Sequence, residues 1–287
     1  MKKEKVVSQK IFIIFMVLLF ATIYTYGGVE NPQNYDAESA GLGFTFVTLN
    51  SNGETYFFNP ATLVLKKYSY FSLSFDLPIE EDSTILNLSY FIPSTSSYAI
   101  SGSLIYDKTS QTYAFKDFKG AIAFPLTSNI YWGTSVTYID AEEALKGNVG
   151  LIVDITDFLK AGITGENFTV KKLSDNEYTI AIPIRYNVGL NLSLFKDSTN
   201  LYLDLIDVER FSITNDMSLF RFGLEQKLGN IFTLRWGSSG DITQFENYTL
   251  GFGVRLNILV VDFSTFLSQD QDDQTRLNYK LTGTLKF

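Results

Sequence analysis

Apolar and polar residues alternate along most of the chain from about residue 66 to its end. In residues 71–77, for example, Ser72, Ser74 and Asp76 separate four apolar side chains. Successive side chains of a β-strand point to opposite faces, so this period of two predicts strands with one apolar and one polar face. Helical periodicity is nearly absent after the first 27 residues, and we therefore predict an all-β protein.

The alternating part divides into about 14 strands of roughly 9–13 residues, the length that crosses a bilayer at a tilt. We place the strands at 66–79, 83–93, 96–107, 115–126, 129–140, 146–156, 157–168, 178–195, 199–209, 217–228, 231–240, 247–257, 258–268 and 275–287. The long segment 178–195 contains Pro183, which cannot donate a ladder hydrogen bond, so we predict a bulge or bend there.

Connections of two kinds alternate between these strands. One set is tight, at 93–96, 126–129, 156–157, 196–199, 229–230 and 257. The other set is longer and carries acidic residues, at 80–82, 107–113, 140–147, 167–177, 207–216, 240–246 and 268–274. Short turns on one rim and longer loops on the other are typical of bacterial outer-membrane barrels, and an even strand count puts both chain ends on the short-turn, periplasmic side. We predict a transmembrane antiparallel β-barrel; a secreted β-sandwich or propeller is the alternative.

Residues 1–27 have the features of a secretory signal peptide. Four lysines precede an apolar core at Ile11–Ala21, which is short for a membrane-spanning helix. Cleavage after Gly27 would leave small residues, Thr25 and Gly27, just before the cut; an uncleaved N-terminal anchor is the alternative. No cysteine follows the core, which excludes a lipoprotein. These features predict export to the bacterial outer membrane.

Composition removes several classes of chemistry. The 287 residues include no Cys and no His, which excludes a Ser-His-Asp relay, a Cys nucleophile, a His-ligated metal and disulfides. Beyond residue 27 there are 19 basic and 30 acidic residues, a balance that argues against nucleic acid as a partner. No spacing of carboxylates singles out an active site, so we expect no enzyme, no metal site and no cofactor.

The stretch AGLGFTFVTLNSNGETYFFNPATL, residues 40–63, does not have the pattern of a simple spanning strand. It resembles the N-terminal signature of the FadL/PorV-like superfamily of outer-membrane barrels, which includes fatty-acid transporters and the PorV and PorQ groups. The matching positions of this signature are Gly41, Gly43, Glu54, Asn59, Pro60 and Ala61. Looser similarity extends over residues 159–168, 182–194, 220–237 and 251–264.

This resemblance implies three parts: a signal peptide at 1–27, an N-terminal plug or hatch segment at 28–64 that folds inward, and a barrel at 65–287. Asn59 and Pro60 would then mark the start of the first strand. The plain alternative is that this Asn-Pro pair is only a turn.

Charged residues fall on the polar phase of the predicted strands, which would face the barrel lumen. They are Asp76, Asp154, Arg185, Asp204, Arg221, Glu225, Arg235, Arg255 and Asp262. Charges in such an interior must be paired or hydrated. They would line a path for polar solutes or hold the plug; the alternative is that they form salt bridges that only stabilise the interior.

The last strand ends on an aromatic residue. Its apolar phase consists of Tyr279, Leu281, Gly283, Leu285 and Phe287. A closing strand with a terminal Phe is typical of the signal that the barrel-assembly machinery recognises, so that machinery and outer-membrane lipid are the expected partners.

Two functional hypotheses follow. The first is passive transport of small or hydrophobic solutes, with a hydrophobic small molecule as ligand; the charged lumen favours it. The second is a non-conducting scaffold or secretion accessory of the PorV-like type, which the short acidic loops favour.

Overall fold

The computed structural model describes residues 35–78, 83–92, 97–108, 110–140, 143–174, 177–181, 185–195, 197–208, 219–241, 244–269 and 275–287. The predicted signal peptide lies outside these residues. None of the helices in the described ranges is long and apolar enough to span a membrane.

The described residues form three short helices followed by strands. The α-helix α1 spans Ala37–Ala40, and two 3₁₀ helices span Thr55–Phe57 and Pro60–Leu65. The strands are Tyr70–Pro78 (β1), Ser83–Ile92 (β2), Ser97–Asp107 (β3), Thr112–Pro125 (β4), Ile130–Ile139 (β5), Ala144–Thr156 (β6), Leu159–Ser174 (β7), Glu177–Ala181 (β8), Arg185–Leu194 (β9), Thr199–Ile206 (β10), Leu219–Leu228 (β11), Phe232–Asp241 (β12), Gln244–Leu256 (β13), Leu259–Gln269 (β14) and Thr275–Lys286 (β15).

The strands close into one antiparallel barrel. Consecutive strands pair from β1 to β8 and from β9 to β15, and β15 pairs with β1 from Lys286 opposite Tyr70 to Asn278 opposite Pro78. The short β8 and the following β9 both pair with β7, one after the other along its length. The 15 segments in the described ranges therefore occupy 14 positions around the barrel, which confirms the predicted fold. In the described sheet, closure gives every strand except β8 a partner on both sides.

The barrel has its polar residues inside and its apolar residues outside. On β15, the inward-facing Lys280, Thr282 and Thr284 are buried, whereas the outward-facing Leu285 is 43% exposed. The other strands repeat this pattern, so large apolar side chains make up the outer wall. Such a surface suits hydrocarbon, where every backbone group must be satisfied within the sheet.

The register along β7 changes where β8 gives way to β9. Ala181 pairs with Thr169 and Arg185 pairs with Glu166, so the register differs by one residue between these two pairs. The predicted bulge at Pro183 itself lies outside the described residues.

The two rims differ less in loop length than we predict from the sequence. Strand β7 continues to Ser174 and β6 begins at Ala144, so the predicted loop at 167–177 is mostly strand and that at 140–147 is shortened. Backbone pairing needs no apolar face, and the ladders therefore continue beyond the point where the alternation fades. The longest interval between strands is 207–218, which marks the long-loop end.

The outer wall makes a depth-dependent prediction in lipid vesicles. Leu281 lies midway along β15, between Phe75 and Phe263, and Leu285 lies near its short-turn end. We expect Leu281→Arg to lower the free energy of unfolding by about 2–4 kcal/mol and Leu285→Arg by about 0–1 kcal/mol, because an outward charge costs most at the bilayer centre. Denaturant unfolding in vesicles measures both, and equal losses would contradict a lipid-facing wall.

Candidate functional site

Residues 35–66, here called the inner segment, lie inside the barrel. Their backbone donates hydrogen bonds to inward-facing side chains of three strands: Ala37 to Thr282 Oγ1 at 3.0 Å, Gly43 to Thr249 Oγ1 at 2.9 Å, and Phe46 to Asp204 Oδ2 at 2.6 Å. The predicted plug segment begins at residue 28, but 28–34 lie outside the described residues. The first strand begins at Tyr70 rather than at 66.

A buried aspartate holds the inner segment in a compact loop. The carboxylate of Asp36 accepts hydrogen bonds from the backbone N–H of Ser39 at 2.9 Å, from both the N–H and the hydroxyl of Thr55, at 3.2 and 2.7 Å, and from the hydroxyl of Ser51. These contacts join the start of the segment to residues 51–55. The sequence analysis did not identify Asp36.

The signature residues have individual roles within the segment. Asn59 donates to the carbonyl of Val47 at 2.5 Å and accepts from the N–H of Ala61 at 3.2 Å, so it caps the 3₁₀ helix that begins at Pro60. Asn59 and Pro60 therefore do not mark the start of the first strand, because this helix and a short connection intervene before Tyr70.

Gly41 and Gly43 lie where the inner segment touches the wall. Gly41 is the C-cap of α1. Gly43 has a φ of +68°, a conformation that side chains rarely adopt, and a Cβ there would lie 2.6 Å from the backbone nitrogen of Ser238. Any residue other than glycine would therefore clash with the wall at this position.

Inward-facing glycines of the wall make room for the inner segment. A Cβ at Gly133 would lie 2.5 Å from the carbonyl carbon of Pro60, and one at Gly223 would lie 2.8 Å from the carbonyl oxygen of Leu42. The glycines that meet the segment in this way are Gly133, Gly150, Gly162, Gly189, Gly223, Gly237 and Gly251. The sequence analysis missed them, although all lie on the polar phase of their strands.

One charged network between the wall and the segment is centred on Arg235. Its guanidinium donates to Asp262 at 2.7 Å, to Glu225 at 2.9 Å and to Glu38 of the inner segment at 3.3 Å. All four residues are buried. Three predicted lumen charges thus meet in one network with Glu38, which the sequence analysis did not identify.

A second network joins Glu54 to the other side of the wall. Lys119 on β4 donates to Glu54 at 3.1 Å and lies 3.4 Å from Asp117. On the ladder between β1 and β15, Asp76 pairs with Lys280. The two lysines lie on the polar phase of their strands, and that signal would have identified them.

Asp204 and Arg221, ladder partners on β10 and β11, satisfy backbone groups of the inner segment. Asp204 accepts from the N–H groups of Phe46 and Val47 at 2.6 and 3.0 Å. Arg221 donates to the carbonyl of Phe44 at 2.7 Å. This pair therefore holds the stretch 44–47 by its backbone.

The remaining predicted lumen charges lie nearer the barrel ends. Asp154 accepts from Lys160 at 2.6 Å, and Arg185 lies 3.8 Å from Asp207. Arg255 is exposed at the short-turn end and contacts none of the networks above. The residues predicted as an assembly signal lie on the outward phase of β15, and the N–H of Phe287 donates to the carbonyl of Ser69 at 3.0 Å.

Apolar side chains of the inner segment and the wall form an aromatic cluster towards the long-loop end. Tyr35 stacks on Phe58 with ring centroids 4.6 Å apart, and Phe44 meets Phe266 edge-on at 5.0 Å. The full cluster is Tyr35, Ala40, Phe44, Phe46, Val47, Phe58, Ile206, Leu219 and Phe266. Phe58 and Leu219 are only partly buried, so the cluster reaches the space beneath the long-loop rim.

A cavity of about 690 Å³, here called the vestibule, lies on the opposite side of the inner segment, at the short-turn end. Its lining is mostly polar and includes Lys66, Asn50 and Thr48 of the inner segment. In the part of the chain that the structure describes, no group of acidic residues could hold a metal ion.

Burial shifts the titration of two carboxyl groups of the inner segment. Burial raises the pKa of Glu54 to about 7, against the opposing charge of Lys119. Burial likewise raises the pKa of Glu38 to about 7. The charge of Arg235 opposes this shift, and the charges of Asp262 and Glu225 add to it. Both groups would take up protons as the pH falls below neutrality.

The glycine contacts predict a steric test. We expect Gly237→Val to lower the free energy of unfolding by about 1–3 kcal/mol, because the new side chain would meet the backbone of Gly43. Gly283→Val is the matched control, since a Cβ at this outward position meets nothing within 4 Å. Denaturant unfolding in detergent compares the two, and equal stabilities would show that the inner segment does not require the glycines.

The raised pKa of Glu54 predicts a pH-dependent stability. A carboxyl group whose pKa is higher in the folded state contributes stability below its unfolded pKa, near 4.5, that is lost as the pH rises through about 7. Between pH 5 and pH 8, we expect the free energy of unfolding to fall by on the order of 2 kcal/mol more in the wild type than in Glu54→Gln. Parallel pH profiles of the two unfolding midpoints would contradict this assignment.

Comparisons with known proteins identify the fold. No protein-family model matches the chain, and no curated protein matches it. The chain is similar to the toluene transporter TbuX of Ralstonia pickettii, with a TM-score of 0.65, 13% identity, and coverage of 90% of this chain and 100% of that one. For the monoaromatic hydrocarbon channel CymD the TM-score is 0.64 and the identity 12%, with coverage of 90% of this chain and 99% of that one. For the toluene transporter TodX of P. putida the TM-score is 0.61 and the identity 14%, with coverage of 88% of this chain and 99% of that one. The chain therefore has the same barrel fold as these three transport proteins.

Proposed function

We propose that the protein is an outer-membrane channel for passive transport of small hydrophobic solutes. The observation that carries this proposal is the aromatic cluster, an apolar surface that lies towards the long-loop end of a barrel whose inward face is mostly polar. Solutes would reach it from the long-loop end, where Phe58 and Leu219 are partly buried. The TbuX, TodX and CymD structures are those of toluene transporters and a monoaromatic hydrocarbon channel, which supports a related solute class here.

The inner segment would act as the plug between the two ends of this channel. Its contacts run through α1, both 3₁₀ helices and the stretch 44–47, and they reach strands on several sides of the barrel. Solute would pass only after part of this segment moves. The ionic networks at Arg235 and Lys119 hold it by side chains, which can exchange partners without unfolding the wall.

A location in the outer membrane fits the apolar outer wall and the predicted signal peptide. The alternative role as a PorV-like secretion accessory gains no support from the similar structures, which are transport channels. The same structures give no support to an enzyme.

Uptake of radiolabelled toluene into cells that lack their own hydrocarbon channels tests the proposal. We expect Phe58→Asp to lower uptake severalfold, because a charge in the aromatic cluster removes its affinity for an apolar solute. Phe252→Asp, an outward-facing substitution of the same type, lowers the amount of assembled protein instead. Uptake is therefore expressed per folded barrel, quantified by heat-shifted gel mobility, and unchanged uptake in Phe58→Asp would contradict the proposal.

Single-channel conductance in planar bilayers tests the plug. We expect a variant lacking residues 28–64 to show conductance that is absent or much smaller in the full-length mature protein. If neither protein conducts although gel mobility confirms that both are folded, the wall alone blocks the lumen.

A further inference from the structure

The vestibule contains several cations without an acidic partner. Lys66, Arg255 and Lys286 are three of them, and among the described residues none of the three forms an ion pair. Lys66 is 9% exposed, and its Nζ donates only to the carbonyl of Asn50, at 3.1 Å. A protein with a net charge of −8 has thus collected unpaired positive charge at one place.

The acidic residues of the vestibule are engaged elsewhere or lie apart. Glu38, Glu225 and Asp262 converge on Arg235. The other two, Asp157 and Asp197, belong to the short turns after β6 and β9. Two further lysines of the lining have partners: Lys160 pairs with Asp154 and Lys227 with Glu225. A third, Lys67, is exposed to solvent.

The three unpaired cations converge on one stretch of wall. Lys286 is the ladder partner of Tyr70, and the Nζ of Lys66 lies 5.2 Å from the centre of the Tyr70 ring, so both lysines flank this tyrosine. Arg255 lies two strands away, with Val260 between. Two strand spacings are ~10 Å, which long side chains can span to meet a ligand between them.

The positive charges of Lys66, Arg255 and Lys286 repel one another in this partly enclosed space. Burial lowers the pKa of Lys66 to about 7; the charge of Glu38 opposes this shift and that of Lys286 adds to it, so an ammonium group is costly there. A bound anion would remove this cost by charge-assisted hydrogen bonds. The vestibule, at about 690 Å³, has room for a small organic anion.

We propose that the vestibule is a binding site for a small dianion, a phosphate monoester or a dicarboxylate, held between Lys66, Arg255 and Lys286. Two negative charges match a group of three cations better than one does, and the amide of Asn50 and the hydroxyl of Thr233 add polar lining. This site lies at the short-turn end, on the far side of the inner segment from the aromatic cluster. It does not depend on transport of hydrophobic solutes.

Titration calorimetry on the full-length mature protein in detergent tests the site, with inorganic phosphate, succinate and acetate as probes. We expect one equivalent of phosphate or succinate to bind, and the better of the two identifies the ligand class. Acetate should bind at least about tenfold more weakly, because it can use only part of the charge. No binding of either dianion to the wild type, or equal affinity for acetate, would overturn the proposal.

Variants locate the binding. Arg255→Gln removes an exposed side chain, so folding is retained, and we expect it to weaken dianion binding about tenfold or more, whereas Arg255→Lys retains most of the affinity. Lys108→Gln, an equal charge change at an exposed position of the opposite rim, is the control. Equal affinities in Arg255→Gln and Lys108→Gln would place the anion elsewhere and overturn the assignment.

Discussion

The contact of Arg235 with three carboxylates holds the interior of this barrel together. One guanidinium joins β11, β12, β14 and the inner segment, through Glu225, Asp262 and Glu38. A buried arginine without these partners, or these carboxylates without the arginine, would carry a desolvation cost of several kcal/mol. The strands and the inner segment therefore stabilise one another, because neither could bury its charged groups alone.

The inner segment depends on the wall for its hydrogen bonds as well as its charges. It contains little regular secondary structure, so many of its backbone groups need partners from outside the segment. Asp204, Arg221, Thr249 and Thr282 supply such partners from the wall. The inward glycines have the complementary role, since they let the two backbones approach closely. A polar lumen is thus the condition for holding an irregular segment in place.

The sequence predicts the wall better than the interior. Alternation with a period of two depends on the contrast between lipid and lumen, and it therefore predicted the barrel and the inward phase of residues such as Asp204 and Arg235. It could not predict that rim segments such as 167–174 form strands, because the backbone there pairs without a contrast between lipid and lumen. Asp36 carries no local pattern and Gly237 only its place on the polar phase, and their importance appears only when distant segments meet in space.

The ladder between β1 and β15 has a consequence for the order of assembly. Its partners, such as Ser72 and Thr284, are 212 residues apart in the chain, so this seam has the greatest loop-closure cost in the described sheet. The inner segment already contacts β4 through Lys119, β10 through Asp204 and β15 through Thr282. Because closing this seam costs the most chain entropy, we expect it to form last. Thr282 then contributes both to the seam and to the contact with the inner segment.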